Sequence, residues 1–533
     1  MKKNVLALSI TAALVGLGFA SGVQAVGLAN NLAPSGADTS VLRASPNGIG
    51  HFLYVPYFSV QGGNHTMINI VNTDTSNAKA VKVRFRGAGN SDDLFDFQVF
   101  LSPGDVWTAD VSQNAAGLAI MKTTDLSCTK PAKSSVVGDR LINDQAFNTI
   151  RMNNFRAGDL LANETREGYV EIFNMADIAS GTSLWTAVKH PSRNTAPPCS
   201  GTAWTNLDVD STIAQVSPPT TGLMANWIIL NAVDAGAWSG AAAAIVATGG
   251  TQGSLTTPGH GNTVYFPQTN QPLGVTSTQI QTYTSDPWLI TRPDYAMAYD
   301  LPDFSIPYTT LTTPGNQVAQ LNSVIATSRI INEFLTTSAI SATTDWVLSM
   351  PTRRYAVAYD YFSTSTTDKR VYTPATGTAY FTSVNTSVIS QQICVGGATG
   401  SASGLTSVSY DQEEYTPTNP GSAVIISPVL PGQVTSFLIC GEASVLAFNH
   451  GETASATGLI TSASGSLKAT VARSAIENGF GAGWTILNTP GAGAGGLPIL
   501  GYAAYRAIGA VNAQGSAATF GATLPHRTNL VNP

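Results

Sequence analysis

Few residues in this chain have the types and spacing that chemistry requires. Cys128, Cys199, Cys394 and Cys440 are even in number, which in an exported chain makes disulfides the expected state. Three pairings are open. Neighbour pairing, Cys128 with Cys199 and Cys394 with Cys440, is favoured because each pair lies in a Pro- and Gly-rich region of its own. Metal ligation by the thiols is the rival, but no two are closely spaced and no His stands near them at zinc-site spacing. The six histidines, His51, His65, His190, His260, His450 and His526, form no His-Glu-x-x-His pair. A Gly-x-Ser-x-Gly elbow, a phosphate-binding Gly-Lys loop and a Cys-x-x-Cys are all absent. Ser76 and Lys79 fit Ser-x-x-Lys by letter, in a polar turn with no partner motif. Gly491, Gly493 and Gly496 fit the dinucleotide fingerprint, yet Leu497-Pro498 stands where a helix should open. The catalytic option left is a hydrolase triad assembled only in three dimensions.

Two other kinds of site are conceivable. Asp92, Asp93 and Asp96, beside Asn90, are candidate calcium ligands; Asp208 with Asp210, and Asp411 with Glu413 and Glu414, are similar. Against each stands a solvated acidic turn, because calcium takes six or more converging oxygens. Tyr54, Tyr57, Trp185, Trp204, Trp238 and Trp288 could build a sugar-stacking platform; core packing is the competing use of such rings.

The elements that must position these residues are mostly strands. Val81, Val83 and Phe85 alternate with Lys82, Arg84 and Arg86, the period of a half-buried strand, and Phe95, Phe97, Val99 and Leu101 repeat the pattern. Turns are expected at residues 72–77 and at Ser102-Pro103-Gly104-Asp105. Further strands are expected around residues 67–71, 166–173, 223–233, 294–299, 346–348, 355–360, 379–384, 423–426, 434–439, 444–448, 483–487 and 497–502, with residues 241–247 readable as helix or strand. Residues 295–300 and 355–360 are alike, but six residues do not make a repeat. Val318, Leu321, Val324, Ile325, Ile331 and Leu335 have helical spacing and predict one amphipathic helix. The fold class is mainly β: two or more β-sandwich, immunoglobulin-like domains, with that helix and long Gly/Thr/Pro-rich loops. The expected division is a signal peptide (1–25), an N-terminal arm (26–47), a first β-sandwich (48–233), a middle region with an exposed excursion and the helix (234–365), and a C-terminal β domain (366–533).

Composition bounds the partners. Lys2 and Lys3 precede an apolar run, and Val23-Gln24-Ala25 offers small residues for cleavage, so export with a mature start at Val26 is expected; an uncleaved anchor is the alternative. Without those two lysines, 24 basic face 32 acidic residues, a net charge of −8 that argues against a nucleic-acid partner. No mature stretch supplies the ~20 apolar residues of a membrane-spanning helix. Only 11% of residues are charged, against roughly 25% in ordinary soluble domains. Such a surface repels copies of itself weakly and is compatible with close packing of subunits.

Several segments resemble a family of exported cell-surface proteins of Gram-negative bacteria, some described as surface-layer proteins. They are Pro56-Tyr57 with residues 67–73, Ala80-Val81-Lys82-Val83-Arg84-Phe85-Arg86, residues 101–108, Arg166-Glu167-Gly168-Tyr169-Val170-Glu171, residues 344–347 with Pro351-Thr352-Arg353-Arg354, and residues 496–502. The Thr- and Gly-rich residues 248–315 depart from shorter members. The resemblance implies a structural surface protein and carries over no catalytic residue. The leading expectation is self-assembly into a layer, with itself as partner, noncovalent attachment to outer-membrane polysaccharide, and no cofactor unless calcium. The alternatives are a monomeric adhesin or carbohydrate-binding protein and an exported hydrolase.

Overall fold

The alternation at residues 81–86 does make a strand, and that strand lies in the middle of the molecule. The computed structural model describes residues 41–132, 146–149, 159–208, 215–248, 263–268, 308, 314–361, 363–365, 368–372, 380–396, 405–413, 435–451, 465–489, 496–511 and 517–527. The first half contributes strands β1 (Val41–Ala44), β2 (Phe52–Ser59), β3 (Asn64–Asn72), β4 (Ala78–Gly87), β5 (Asp93–Leu101), β6 (Val106–Gln113), β7 (Ala119–Lys122), β8 (Cys128–Lys130), β9 (Glu167–Ile178), β10 (Leu223–Asn231), β11 (Gly236–Ala241) and β12 (Ala243–Thr248). Seven join in the order β1-β12-β2-β9-β4-β5-β8, five in the order β11-β10-β3-β6-β7. Val83 of β4 pairs with Phe97 of β5, whose ring meets Trp107 of the second sheet at 5.3 Å, so the apolar faces of the two sheets meet in a core. The sandwich therefore takes in residues beyond the expected border at 233, and β1 comes from the segment expected as an arm.

The two sheets differ in a way that alternation alone does not reveal. In β3, Ile68 and Ile70 are buried while Met67, Asn69 and Val71 are partly exposed, a half-buried strand. In β4 all ten residues are buried, and so are all of β2 and β9. The expectation of a half-buried strand at 81–86 is thus corrected: the face carrying Lys82, Arg84 and Arg86 is covered by chain from the second half.

That second half is also β. One sheet runs in the order Arg473–Ile476, Ala443–Phe448, Thr343–Ser349, Leu500–Val511, Ala517–Pro525; another runs Arg329–Leu335, Ala482–Asn488, Leu405–Tyr410, Thr435–Phe437. The first of these draws strands from both sides of residue 365, so the expected middle and C-terminal regions interleave. The helix spans Pro314–Ile325 only, with Val318, Leu321, Val324 and Ile325 buried as its spacing requires. Ile331 and Leu335, read as its continuation, stand on a strand whose buried residues are instead Ile330, Asn332 and Phe334. The helix stops where Thr327 turns its hydroxyl to the Arg329 carbonyl (2.7 Å), a local bond that competes with the helical ladder, before β-branched residues that suit a strand. Residues 380–385 form a turn in which Asn385 Oδ1 accepts from the Thr382 amide (2.7 Å), and the strand expected there begins at Thr386.

Turn chemistry follows the sequence. Asp74 Oδ1 accepts from the amides of Ser76 (2.7 Å) and Asn77 (2.9 Å), closing the turn between β3 and β4. Gly104 takes φ +69° in the turn before β6, where a side chain would be strained. Both neighbour disulfides are present: Cys128 bonds Cys199, and Cys394 bonds Cys440 across paired strands. The expected strand at 294–299, that at 423–426, residues 1–40, His260, Trp288, Asp210, Glu414, Gly491 and Gly493 lie outside the described residues. Among the described residues no helix is long and apolar enough to cross a membrane.

Closing the 71-residue separation between Cys128 and Cys199 is worth ~4 kcal/mol by loop entropy. The double variant Cys128→Ser/Cys199→Ser should therefore unfold at clearly lower denaturant than the parent under oxidising conditions, and at the same concentration under reduction.

Candidate functional site

Three of the segments that carry the family resemblance converge on one place. Arg84 and Arg86 stand on β4, and their cross-strand partners on β9 are Glu171 and Tyr169. Arg353 and Arg354 come from a short 3-10 turn, Arg353–Tyr355, in the second half. All six side chains are fully buried. Glu171 is the hub: its carboxylate lies 3.3 Å from Arg86 Nε, 3.5 Å from Arg354 Nη2 and 3.6 Å from Arg84 Nη1. Burial alone would raise this carboxyl, but Arg354, Arg86 and Arg84 together hold it below the ordinary glutamate value.

Beside it lies a second buried carboxylate, Glu442, at the start of the strand Ala443–Phe448. It faces Arg353 Nε at 3.5 Å and accepts from Ser91 Oγ (2.6 Å) and the Tyr169 hydroxyl (3.2 Å) of the first half. Here desolvation wins over Arg353 and the hydrogen bonds, and the carboxyl is raised. The backbone joins in, with the Glu442 amide donating to the Ala88 carbonyl (2.7 Å) and Arg353 Nη1 donating to that of Gly441 (2.9 Å). The Arg354–Glu171 ion pair and the hydrogen bonds to Glu442 thus cross between the two halves.

A third carboxylate at the same junction has no cation in the set of bonds around it. Glu167, fully buried, accepts from Tyr57 OH (3.0 Å), Gln61 Nε2 (2.8 Å) and the amides of Thr470 (2.6 Å) and Val471 (3.2 Å). Burial pushes it up to about 7 despite those bonds. Around these groups, Trp227 of β10 stacks on Tyr502 at 4.6 Å, Trp238 Nε1 donates to the Tyr505 carbonyl (2.7 Å), and Asp234 takes both Lys468 (2.7 Å) and Arg506 (2.9 Å).

The residues singled out from sequence are mostly absorbed by this interior. Asp92 accepts from the Tyr361 hydroxyl, Asp93 lies 3.5 Å from Arg84, and Asp96 is ion-paired with Lys82, so the three candidate calcium ligands point to three different partners. Asp208 pairs with Lys130 (2.6 Å), and Asp411 caps the amide of Glu413 (2.9 Å). No group of three or more metal-ligating side chains converges among the described residues. Lys79, of the Ser-x-x-Lys pattern, is buried against Asp177 (2.8 Å). Tyr54, Tyr57 and Trp238 are core residues, while Trp185 and Trp204 are partly exposed under Lys189 and Lys130 respectively, so these aromatics form no row on one face. His51 and His526 are buried, and His65 and His450 face Asp110 and Asp345, both at 3.3 Å.

One concave place does bring Ser, His and Asp together. A pocket of about 290 Å³ is lined by Ser102, Asp105, His190 and Ser192 among others. Its hydrogen bonds are not those of a triad: Ser102 Oγ donates to the Val188 carbonyl (3.1 Å), and His190 Nδ1 lies 2.9 Å from the Thr195 carbonyl. Sequence reading missed this pocket and missed Glu442 and Glu167 as members of the junction. The available signal was the placing of isolated charges, such as Arg353-Arg354 and Glu442, among buried residues in a charge-poor chain.

Two outcomes follow from the junction. Glu171→Gln should cost about 3–5 kcal/mol in urea unfolding, because three guanidinium groups lose their carboxylate, and both halves should unfold in one transition in the parent. Glu167, raised in the folded state, contributes stability that is present below pH 4.5 and lost as pH rises through about 7, on the order of 3 kcal/mol. Glu167→Gln should flatten that fall when unfolding free energy is measured from pH 5 to pH 8.

No protein-family model, curated protein or solved structure matches this chain.

Proposed function

We propose that this chain is an exported structural protein of a bacterial cell surface whose subunits assemble noncovalently into a layer. The observation that carries the reading is how little charge the chain leaves for its surface. The chain has 26 basic and 32 acidic residues, and eight of each are buried among the described residues. The interior takes its full share of the charge, so the outer surface is no richer in charge than the 11% of the whole sequence, and copies meet with little repulsion. Exposed apolar side chains, Val233, Val384 and Phe520 above all, add contact material. Two halves joined by a shared core and a shared charge cluster supply the rigid subunit that a regular array needs. The segments resembling the surface-layer family lead into that interior, which suits a structural role.

A second reading, a monomeric carbohydrate-binding protein, is favoured by one observation. Tyr410 and Trp484 stack at 4.6 Å on adjacent strands, with Trp484 exposed, which is how a sheet offers rings to a sugar.

Negative-stain electron microscopy of the chain from Val26, at low and physiological salt and with and without millimolar calcium, tests the first reading. Sheets or tubes with a regular repeat are expected. Dispersed subunits under every condition, together with a monomer mass in sedimentation, would sink it in favour of the second.

A further inference from the structure

In the junction, cations and carboxylates face one another; at one end of the first sandwich they do not. Lys189 and Arg193 are both exposed, and neither has an ion-pair partner among the described residues. Lys189 Nζ rests over the Trp185 ring, 4.4 Å from its centroid. Both line the pocket of about 290 Å³ noted above, whose opposite wall is the Ser102–Asp105 turn.

The wall is pre-built. Ser102 Oγ accepts from the His190 amide (3.0 Å) and donates to the Val188 carbonyl (3.1 Å), fixing the loop to the turn. The far end of that loop is held by the Cys128–Cys199 disulfide and by the Cys199 amide on the Ala187 carbonyl (2.9 Å). The carboxylate among its lining residues, Asp105, is hydrogen-bonded within its own turn and to residues beside it. It accepts from the amides of Ser102 and Val106 (both 3.0 Å) and from Ser127 Oγ (3.1 Å), and His190 Nε2 lies 3.5 Å away. The pocket therefore sets two cations without a direct ion pair against one hydrogen-bonded carboxylate, a surplus of positive charge, together with the Asn194 side chain and the Ser192 hydroxyl, which lies 2.7 Å from that of Thr195.

We propose that this pocket binds an anionic sugar, a monosaccharide unit carrying a phosphate or a carboxylate. The anion would lie between the Arg193 fork and the Lys189 point charge, and the sugar hydroxyls would meet the Ser192 and Asn194 side chains. Its volume is at the small end for ligand pockets, which suits one sugar unit and not a peptide. The inference rests on the surface-protein reading only for the source of that sugar, a negatively charged envelope polysaccharide.

The test is calorimetric titration of the full chain from Val26 with glucose 1-phosphate, glucuronate, inorganic phosphate and glucose at low salt. At least one anionic sugar should bind tenfold more tightly than glucose and severalfold more tightly than inorganic phosphate. Lys189→Ala/Arg193→Ala should weaken it at least tenfold with an unchanged melting temperature, since both side chains are exposed. Arg193→Lys should restore part of the affinity. Equal binding to parent and double variant, silence with every probe at millimolar concentration, or inorganic phosphate binding as tightly as the sugars would each overturn the proposal. Assembly is scored separately by microscopy: sheets that bind no anionic sugar sink the pocket alone, and dispersed subunits that do bind it sink the layer alone.

Discussion

Charge buried away from solvent is the constraint on which this structure depends. An isolated ion in a protein interior costs several kcal/mol, and mutual attraction offsets that only when partners are placed well. Arg84, Arg86, Arg353 and Arg354 are all sealed from solvent, and their carboxylates come from both halves of the chain. Arg354 finds Glu171 across the junction, and Glu442 finds Ser91 and Tyr169. Neither half satisfies its polar groups alone, so the two cannot separate without exposing Trp227, Tyr502 and the ions together. The continuous apolar cluster, which runs from Leu42 through Val347 and Ala443 to Ala504, supplies the attraction; the ions supply the register.

That constraint also explains what could be seen in the sequence. Strands such as β3 and β4, the turns at Asp74 and Gly104, the sandwich class and the disulfide pairing follow from local rules: period two, Asx bonding, φ above zero and loop composition. The burial of the polar face of β4 does not, because Lys82, Arg84 and Arg86 alternate with apolar residues equally well against water or against a matching layer of carboxylates. The end of the helix at Ile325 was hidden for a related reason. Ile331 and Leu335 keep helical spacing, but Ile330, Asn332 and Phe334 keep strand spacing, and only pairing with Ala482–Asn488 chooses between them. Glu442, Glu167 and the pocket at Lys189 and Arg193 are set by contacts between residues tens to hundreds of positions apart, which no local pattern encodes.

A chain with only 11% charged residues, of which eight basic and eight acidic are buried, leaves few charges at its outer surface. On such a surface a pair of unpaired cations counts for more than it would among many charges. The potential at Lys189 and Arg193, offset in part by Asp105, extends to the ~8 Å screening length of physiological salt. The same scarcity that lets subunits approach one another therefore leaves the pocket's surplus of positive charge weakly opposed among the described residues. Attachment and assembly would then use different forces. Apolar and hydroxyl contacts between copies are insensitive to salt, whereas the hold on an anionic polymer weakens as salt rises, so a layer built this way could leave its support without coming apart.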